Sequence, residues 1–283
     1  MPSSREIRTR IKSVKNTGKI TKTMGMVAAA KSVKGMKLVK ESRPYVGKIR
    51  AVLASVLGEG DLSHPLFMPG NEAGRKVLLV MTANRGLCGG YNSNIVRLAK
   101  SEVDDRTDVI MMGKKGAAAF RFAKLEMKQV IQDSPDLPGF ESGTSLIDSL
   151  MEDFLSGRVA SVRVVYTCFV SAGQQSPVVE QLLPLKFEGG QENQSSAGVD
   201  SIYEPNRESL LATLVPKVVR VSFFKMLLDA AVSEHLARQM SMKSASENAD
   251  EMNRVLSLKY NRARQAQITT EISEIVSGAE ALN

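Results

Sequence analysis

Few residues in this chain could do chemistry by type and spacing. A metal site needs several nitrogen, sulfur or oxygen ligands at short intervals, whereas His64 and His235 each stand alone with no second ligand at such a spacing. A nucleophilic thiol needs a base to activate it; no histidine lies near Cys88 in sequence, so Cys88 reads as a small buried residue. Cys88 and Cys168 are too few for a disulfide framework and fit a reducing compartment. The carboxylates are scattered along helix surfaces, and no pair is placed to act as acid and base. The turn Gly86-Leu87-Cys88-Gly89-Gly90 is the strongest chemical candidate, because a glycine-rich turn after the first strand is where a doubly wound sheet binds a nucleotide. It is not G-x-G-x-x-G, no acidic residue closes the next strand as a ribose ligand, and no Lys-Ser or Lys-Thr follows. Gly18-Lys19 lacks the glycine five residues earlier and lies inside a helix pattern, and residues 113–116 (GKKG) read as a strand-to-helix turn. The sequence therefore predicts structural turns, with no catalytic group, no cofactor and no metal.

The elements that would carry such residues form an α/β region in the middle of the chain. Residues 76–82 (KVLLVMT) are an apolar run of strand length, followed by the turn at 84–90 and a helix from about Asn92. Further strands are expected at 108–112, 161–170 and 178–187, with helices at 115–124 and 145–154. Strands alternating with helices indicate a mostly parallel sheet. Residues 59–75, rich in Gly, Pro, Ser and Asn, read as a linker, and 189–198 (GGQENQSSAG) as a polar tether. The expected division is a first long helix over 1–58, a linker over 59–75, the α/β domain over 76–190, a polar linker over 191–206 and a second long helix over 207–283.

The two terminal helices are the dominant feature. After Pro216 the second has no proline, and Met242, Ala245, Ala249, Met252, Leu256, Ala263, Ala266 and Thr270 step by three and four, with Lys259 filling the vacant turn. Such a helix would run to ~110 Å, and it needs a partner of similar length. The first helix, over 3–57, supplies one, with Ser3 and Ser4 as possible caps and Pro44 as an expected kink. Two rows on it compete for the seam. One is Ile7, Ile11, Val14, Gly18, Thr21, Gly25, Ala28, Ser32, Gly35 and Val39; the other is the bulkier stripe Ile20, Met24 and Val27. Glycine costs about 1 kcal/mol in a helix relative to alanine, so three on one row imply close backbone approach or bending. This helix also carries fourteen lysines and arginines against Glu6 and Glu41, within a chain of net charge +8. That excess calls for an acidic partner. Residues 2–15 are Arg-rich and acid-poor, as in a transit peptide, but the helical pattern begins at once and argues against that reading. No apolar run approaches the ~20 residues needed to cross a bilayer.

Three blocks resemble the gamma subunit of bacterial F-type ATP synthases: residues 20–31 (ITKTMGMVAAAK), 85–92 (RGLCGGYN) and 260–278 (YNRARQAQITTEISEIVSG). Weaker matches at 42–45, 181–184 and 203–205 extend the resemblance over about 5–281. It implies a left-handed antiparallel coiled coil of the two terminal helices on a Rossmann-like α/β domain. It also implies a non-catalytic central-stalk rotor, with alpha and beta subunits of the catalytic hexamer, epsilon and a ring of c subunits as partners. The location implied is the cytoplasmic face of the bacterial inner membrane, peripheral, through the c ring. By the same resemblance Met24, Arg238, Arg264 and Gln265 contact beta subunits, and Tyr203 and Glu204 lie near the c ring. Ile268, Ile272, Ile275, Val276, Ala279 and Leu282 form a tip held in an apolar sleeve. Gly25 and Gly35 depart from the larger residues of many relatives, which makes the first helix more pliant near Met24. The cysteine-bearing insertion of chloroplast relatives is missing, which argues against a thiol switch at Cys88 and Cys168. The rival readings are a nucleotide-using α/β enzyme and a coiled-coil nucleic-acid binder. The second is weakened by the absence of tryptophan and the few aromatics among the basic residues.

Overall fold

In the computed structural model, residues 4–57, 64–132, 135–186 and 206–280 are described. The elements run α1 (Ser4–Leu57), β1 (Arg75–Met81), α2 (Tyr91–Ser101), β2 (Thr107–Met112), α3 (Lys114–Phe122), β3 (Gln129–Ile131), α4 (Thr144–Leu155), β4 (Val159–Ser171), β5 (Gln174–Leu183) and α5 (Arg207–Glu280). The chain divides into two units, Met1–Ala28 with Arg238–Asn283, and Ala29–Ala237. Portions of α1 and α5 belong to each.

The second unit is built on one mixed sheet of order β3-β2-β1-β4-β5. β1 pairs parallel with β2 and β4, β2 pairs parallel with β3, and β5 returns antiparallel along β4. β1 is apolar at nearly every position because both its faces are covered. Val77, Leu79 and Met81 point to one side, with α4 and the inner parts of α1 and α5. Leu78 and Val80 point to the other, with α2 and α3. The strand period of two thus sorts one continuous run into two cores.

Several expectations need correction. β3 was not foreseen: it has three residues and no alternation to reveal it. β5 starts and ends about four residues earlier than expected; among the described residues it pairs only with β4, so Pro177 can occupy it without breaking a second ladder. Part of the expected linker is core, since Leu66 and Phe67 are buried in the larger apolar cluster and Leu66 O accepts from Leu185 N at 2.8 Å. Helix α1 continues past Pro44 to Leu57, as expected, and Val46, Ile49 and Leu53 beyond the proline are anchored in the core. Ser4 lies within α1, its hydroxyl donating to Gln267 Oε1 at 3.0 Å; Ser3 lies outside the described residues.

In the first unit the glycine-containing row of α1 is the less exposed one. Ile7, Gly18 and Ala28 are buried, whereas Ile20 is 60% and Val27 51% exposed. A Cβ on Gly18 would lie 3.2 Å from Ala249 Cβ, and one on Gly25 would lie 3.4 Å from Met242 Cβ. On α5 the buried positions are Met242 and Ala249, continued by half-buried Asn253, Leu256, Tyr260 and Ala263. Met252, expected on this row, is 57% exposed, and Lys259 is exposed too. Apolar character pointed to Met252, but Ala249 against Gly18 sets the helix phase. The next inward position is four residues on, at Asn253, whose Oδ1 is buried without a hydrogen bond.

Candidate functional site

Candidate residues fall on the sheet's carboxyl end and on the first unit. At the sheet, the turn after β1 is held by its own backbone and by Asn92. Ala83 N donates to Asn92 Oδ1 at 2.9 Å, Asn92 Nδ2 donates to Cys88 Sγ at 3.1 Å, and Lys114 N donates to Asn84 Oδ1 at 3.1 Å. Cys88 is buried, as the sequence suggested. Gly113, capping α3, has φ 101°, and a Cβ there would lie 2.0 Å from Thr82 O, so the GKKG turn needs its first glycine.

A doubly wound sheet binds ligands where the strand order reverses, here between β1 and β4. That crevice is covered by α5. Tyr91 Oη, at the start of α2, donates to Ala230 O at 3.1 Å. Ser233 Oγ donates to Thr167 O of β4 at 3.3 Å. Ala237 packs on the α2–α3 core. His235 Nε2 lies 3.0 Å from Asp136 O, and Asp136 also pairs with Lys31 of α1, which holds its carboxyl below the usual range. His64 is structural in the same way: its Nδ1 accepts from Leu66 N at 3.2 Å, its ring meets Phe67 edge-on, and burial lowers its pKa.

In the first unit, Met24 is half-buried, Arg264 and Gln265 are exposed, and Arg238 is only 8% exposed. These four are not brought together. Gly25 meets Met242, which puts Met24 and Arg238 at one level, whereas Arg264 and Gln265 lie some 26 residues further along α5, ~40 Å at helical rise. The apolar end is open: Ile268, Ile272, Ile275 and Val276 are all exposed, as is every residue over 264–277. Tyr203, Glu204 and Leu282 lie outside the described residues, as does the tether at 189–198.

The sequence reading missed one group. Asp229 is buried beside a cavity between α1, β4 and α5, and burial pushes its carboxyl up to about 6. The available signal was a lone acid in the apolar stretch Leu227-Leu228-Asp229-Ala230-Ala231-Val232. Among the described residues no helix is long and apolar enough to cross a membrane, and no three potential metal ligands cluster.

The model of the family described as ATP synthase matches residues 3–282. The ATP synthase gamma chain of Leptospira biflexa serovar Patoc is 39% identical, over all of this chain and all of that protein. The ATP synthase gamma chain of Anaeromyxobacter dehalogenans is 41% identical, again over both full lengths. Among solved structures, a chain of the Euglena gracilis mitochondrial ATP synthase (OSCP/F1/c-ring, rotational state 3) is similar with a TM-score of 0.68 at 19% identity, covering 99% of this chain and 94% of that one. A chain of the Tetrahymena thermophila mitochondrial ATP synthase central stalk and c ring is similar with a TM-score of 0.59 at 21% identity, covering 80% and 99%.

Proposed function

This chain belongs to the ATP synthase gamma-chain family, and on that premise we propose that it is the torque-carrying rotor of a bacterial F-type ATP synthase. It transmits rotation between an ion-driven ring of c subunits and the alpha/beta hexamer, whose beta subunits do the chemistry. The observation that carries this reading is the close pairing of the two long helices in the first unit. Contacts run in opposite chain order, Ser4 with Gln267, Gly18 with Ala249 and Gly25 with Met242. The inward positions of α5 step by 3.5 on average, the period of a left-handed supercoil. We read the pair as an antiparallel coiled coil whose small seam residues let the backbones approach closely, which makes a slender shaft.

The partner assignments follow the same reading. Met24, Arg264 and Gln265 face loops of the beta subunits from two levels of the shaft, and the basic face of α1 complements acidic loops there. Arg238, largely buried, shapes that level more than it offers surface. Tyr203 and Glu204 lie toward the c ring. The exposed isoleucines beyond Gln267 turn in an apolar sleeve, where contact is non-directional and no single angle is much preferred. The protein is then peripheral to the cytoplasmic face of the bacterial inner membrane, held through the c ring. The domain division that goes with this is helix over 1–58, α/β domain over 76–190 and helix over 207–283, with connecting segments between. Affinity purification of the tagged chain from its own membranes should bring down alpha, beta, epsilon and c subunits in one ATP-hydrolysing assembly. Recovery of the chain alone, from membranes that retain an intact synthase, would refute the reading.

A further inference from the structure

The cavity beside Asp229 lies in the second unit and belongs to none of the contacts assigned above. Its volume is about 350 Å³, within the range of small-ligand sites. Val39, Val46, Phe169 and Leu228 supply apolar wall, and Arg43, Arg50, Lys225 and Asp229 supply charge. Gly47 also lines it, and a Cβ there would meet nothing within 4 Å, so the space is open.

Asp229 is 2% exposed, and among the described residues nothing donates a hydrogen bond to its carboxylate. The nearest cation, Lys225 Nζ, is 3.8 Å away, beyond hydrogen-bond length. A buried carboxylate without donors is costly, so this position calls for a donor supplied from the cavity. Arg50 gives one N–H to Ser222 Oγ at 3.1 Å and keeps other donors of its five. Three cations attract an anion, while the carboxylate will accept only an anion that brings a proton. Sulfate and carboxylate ions have no such proton at neutral pH. Phosphate and phosphomonoesters do, since their second ionisation lies near ~6–7.

We propose that the cavity between α1, β4 and α5 binds a small protonated oxyanion of the phosphate class. One P–O–H donates to Asp229, and the remaining oxygens accept from Arg43, Arg50 and Lys225 in charge-assisted hydrogen bonds. A single proton is shared between the carboxylate and the bound oxygen, so affinity falls as the solution becomes alkaline. The groups facing Asp229 are Arg43 and Arg50 from α1, Lys225 from α5, Cys168 from β4 and, more remotely, Tyr166 from β4 and Glu180 from β5. Lys225 and Arg43 favour its charged form, while burial and Glu180 oppose it.

The test is equilibrium dialysis of the full chain with radiolabelled inorganic phosphate, with sulfate and glycerol 3-phosphate as competitors. Saturable one-to-one binding is expected, with sulfate competing at least tenfold less well. Glycerol 3-phosphate competing better than phosphate would identify the phosphate of a larger molecule as the source. Arg43→Ala should weaken binding at least tenfold. Asp229→Asn should remove the preference over sulfate, because an amide also donates. Gly47→Leu should abolish binding by filling the cavity while improving the helix. Phosphate should also slow alkylation of Cys168, which lines the cavity, with buried Cys88 as the internal reference. A cavity that holds only water gives no saturable binding and overturns the proposal. Equal affinity for phosphate and sulfate in the wild type, or binding unaffected by both Arg43→Ala and Gly47→Leu, overturns it too.

Discussion

Single residues here carry opposite physical consequences from similar chemistry. Gly25 and Gly35 occupy the same row of α1, yet a Cβ at 25 would be in ordinary contact, 3.4 Å from Met242, while one at 35 would lie 2.6 Å from Val232 Cγ2 and 3.1 Å from Leu137 Cδ2. Gly25→Ala should therefore stabilise by up to ~1 kcal/mol through helix propensity. Gly35→Ala should destabilise by ~1–2 kcal/mol, because overpacking exceeds that gain. Urea unfolding of the two variants checks the difference in sign. Asp229 is a second case. Burial raises its folded pKa to about 6, above the ordinary 3.8, so the folded state holds more protons than the unfolded one between those values. Stability contributed by the neutral form is present below pH ~4 and is lost as pH rises to ~6, amounting to ~3 kcal/mol. Asp229→Asn should match the wild type near pH 4 and exceed it increasingly to pH 7. A difference between the two that stays constant over that interval would contradict this.

At the scale of elements, the paired part of α1 and α5 and the free end of α5 present different surfaces. Between Ser4 and Ala28, α1 uses glycine, alanine and threonine to bring its backbone against α5. Beyond Gln267, α5 presents apolar side chains to whatever surrounds it, with Glu271, Glu274 and Glu280 as its only charges. Apolar surface stabilises an assembled state by roughly 25 cal/mol per Å² without favouring one angle, whereas the directional bonds that we propose Arg264 and Gln265 make to beta-subunit loops must break and re-form on rotation. Deleting residues 277–283 should leave ATP synthesis measurable per assembled complex, though assembly is weaker. The double variant Arg264→Ala/Gln265→Ala should reduce turnover more while leaving assembly intact. Steady-state hydrolysis and synthesis, normalised to bound gamma chain, discriminate the two. Loss of all turnover in fully assembled truncated complexes, with the double variant near normal, would place the torque at the tip.

At the scale of the molecule, α5 contributes to both units, packing against α1 in one and covering the sheet in the other. Its Ala230–Ala237 region takes the crevice where a doubly wound sheet would hold a nucleotide, fixed by Tyr91 and Ser233. The chain also leaves Met240, Met252, Leu258, Ile272 and Ile275 of α5 exposed, and we propose that partner subunits cover them in the assembly. The isolated chain should therefore self-associate at tens of micromolar in sedimentation velocity and should bind neither ATP nor NAD in equilibrium dialysis. A monomer at high concentration, or stoichiometric nucleotide binding at the β1–β4 crevice, would contradict one or other part.

Most of the elements were legible because their signals are local. An apolar run of strand length marks β1, helical spacing marks α1 and α5, and the glycines of residues 84–90 and 113–116 mark turns, with Gly89 and Gly113 at positive φ. The blocks at 20–31, 85–92 and 260–278 pointed to the family for the same reason, since they are contiguous. What the chain could not specify locally was phase and partnership. Two rows on α1 were open until Ala249 met Gly18, and Asn253 rather than Met252 faced inward because a helix can present only one side to its neighbour. Leu66 and Phe67 became core because residues far along the chain closed over them. Asp229 is a lone acid in an apolar stretch, but that α1 and β4 bury it beside a cavity is decided only by the tertiary structure, since burial and electrostatic environment are properties of what surrounds a residue.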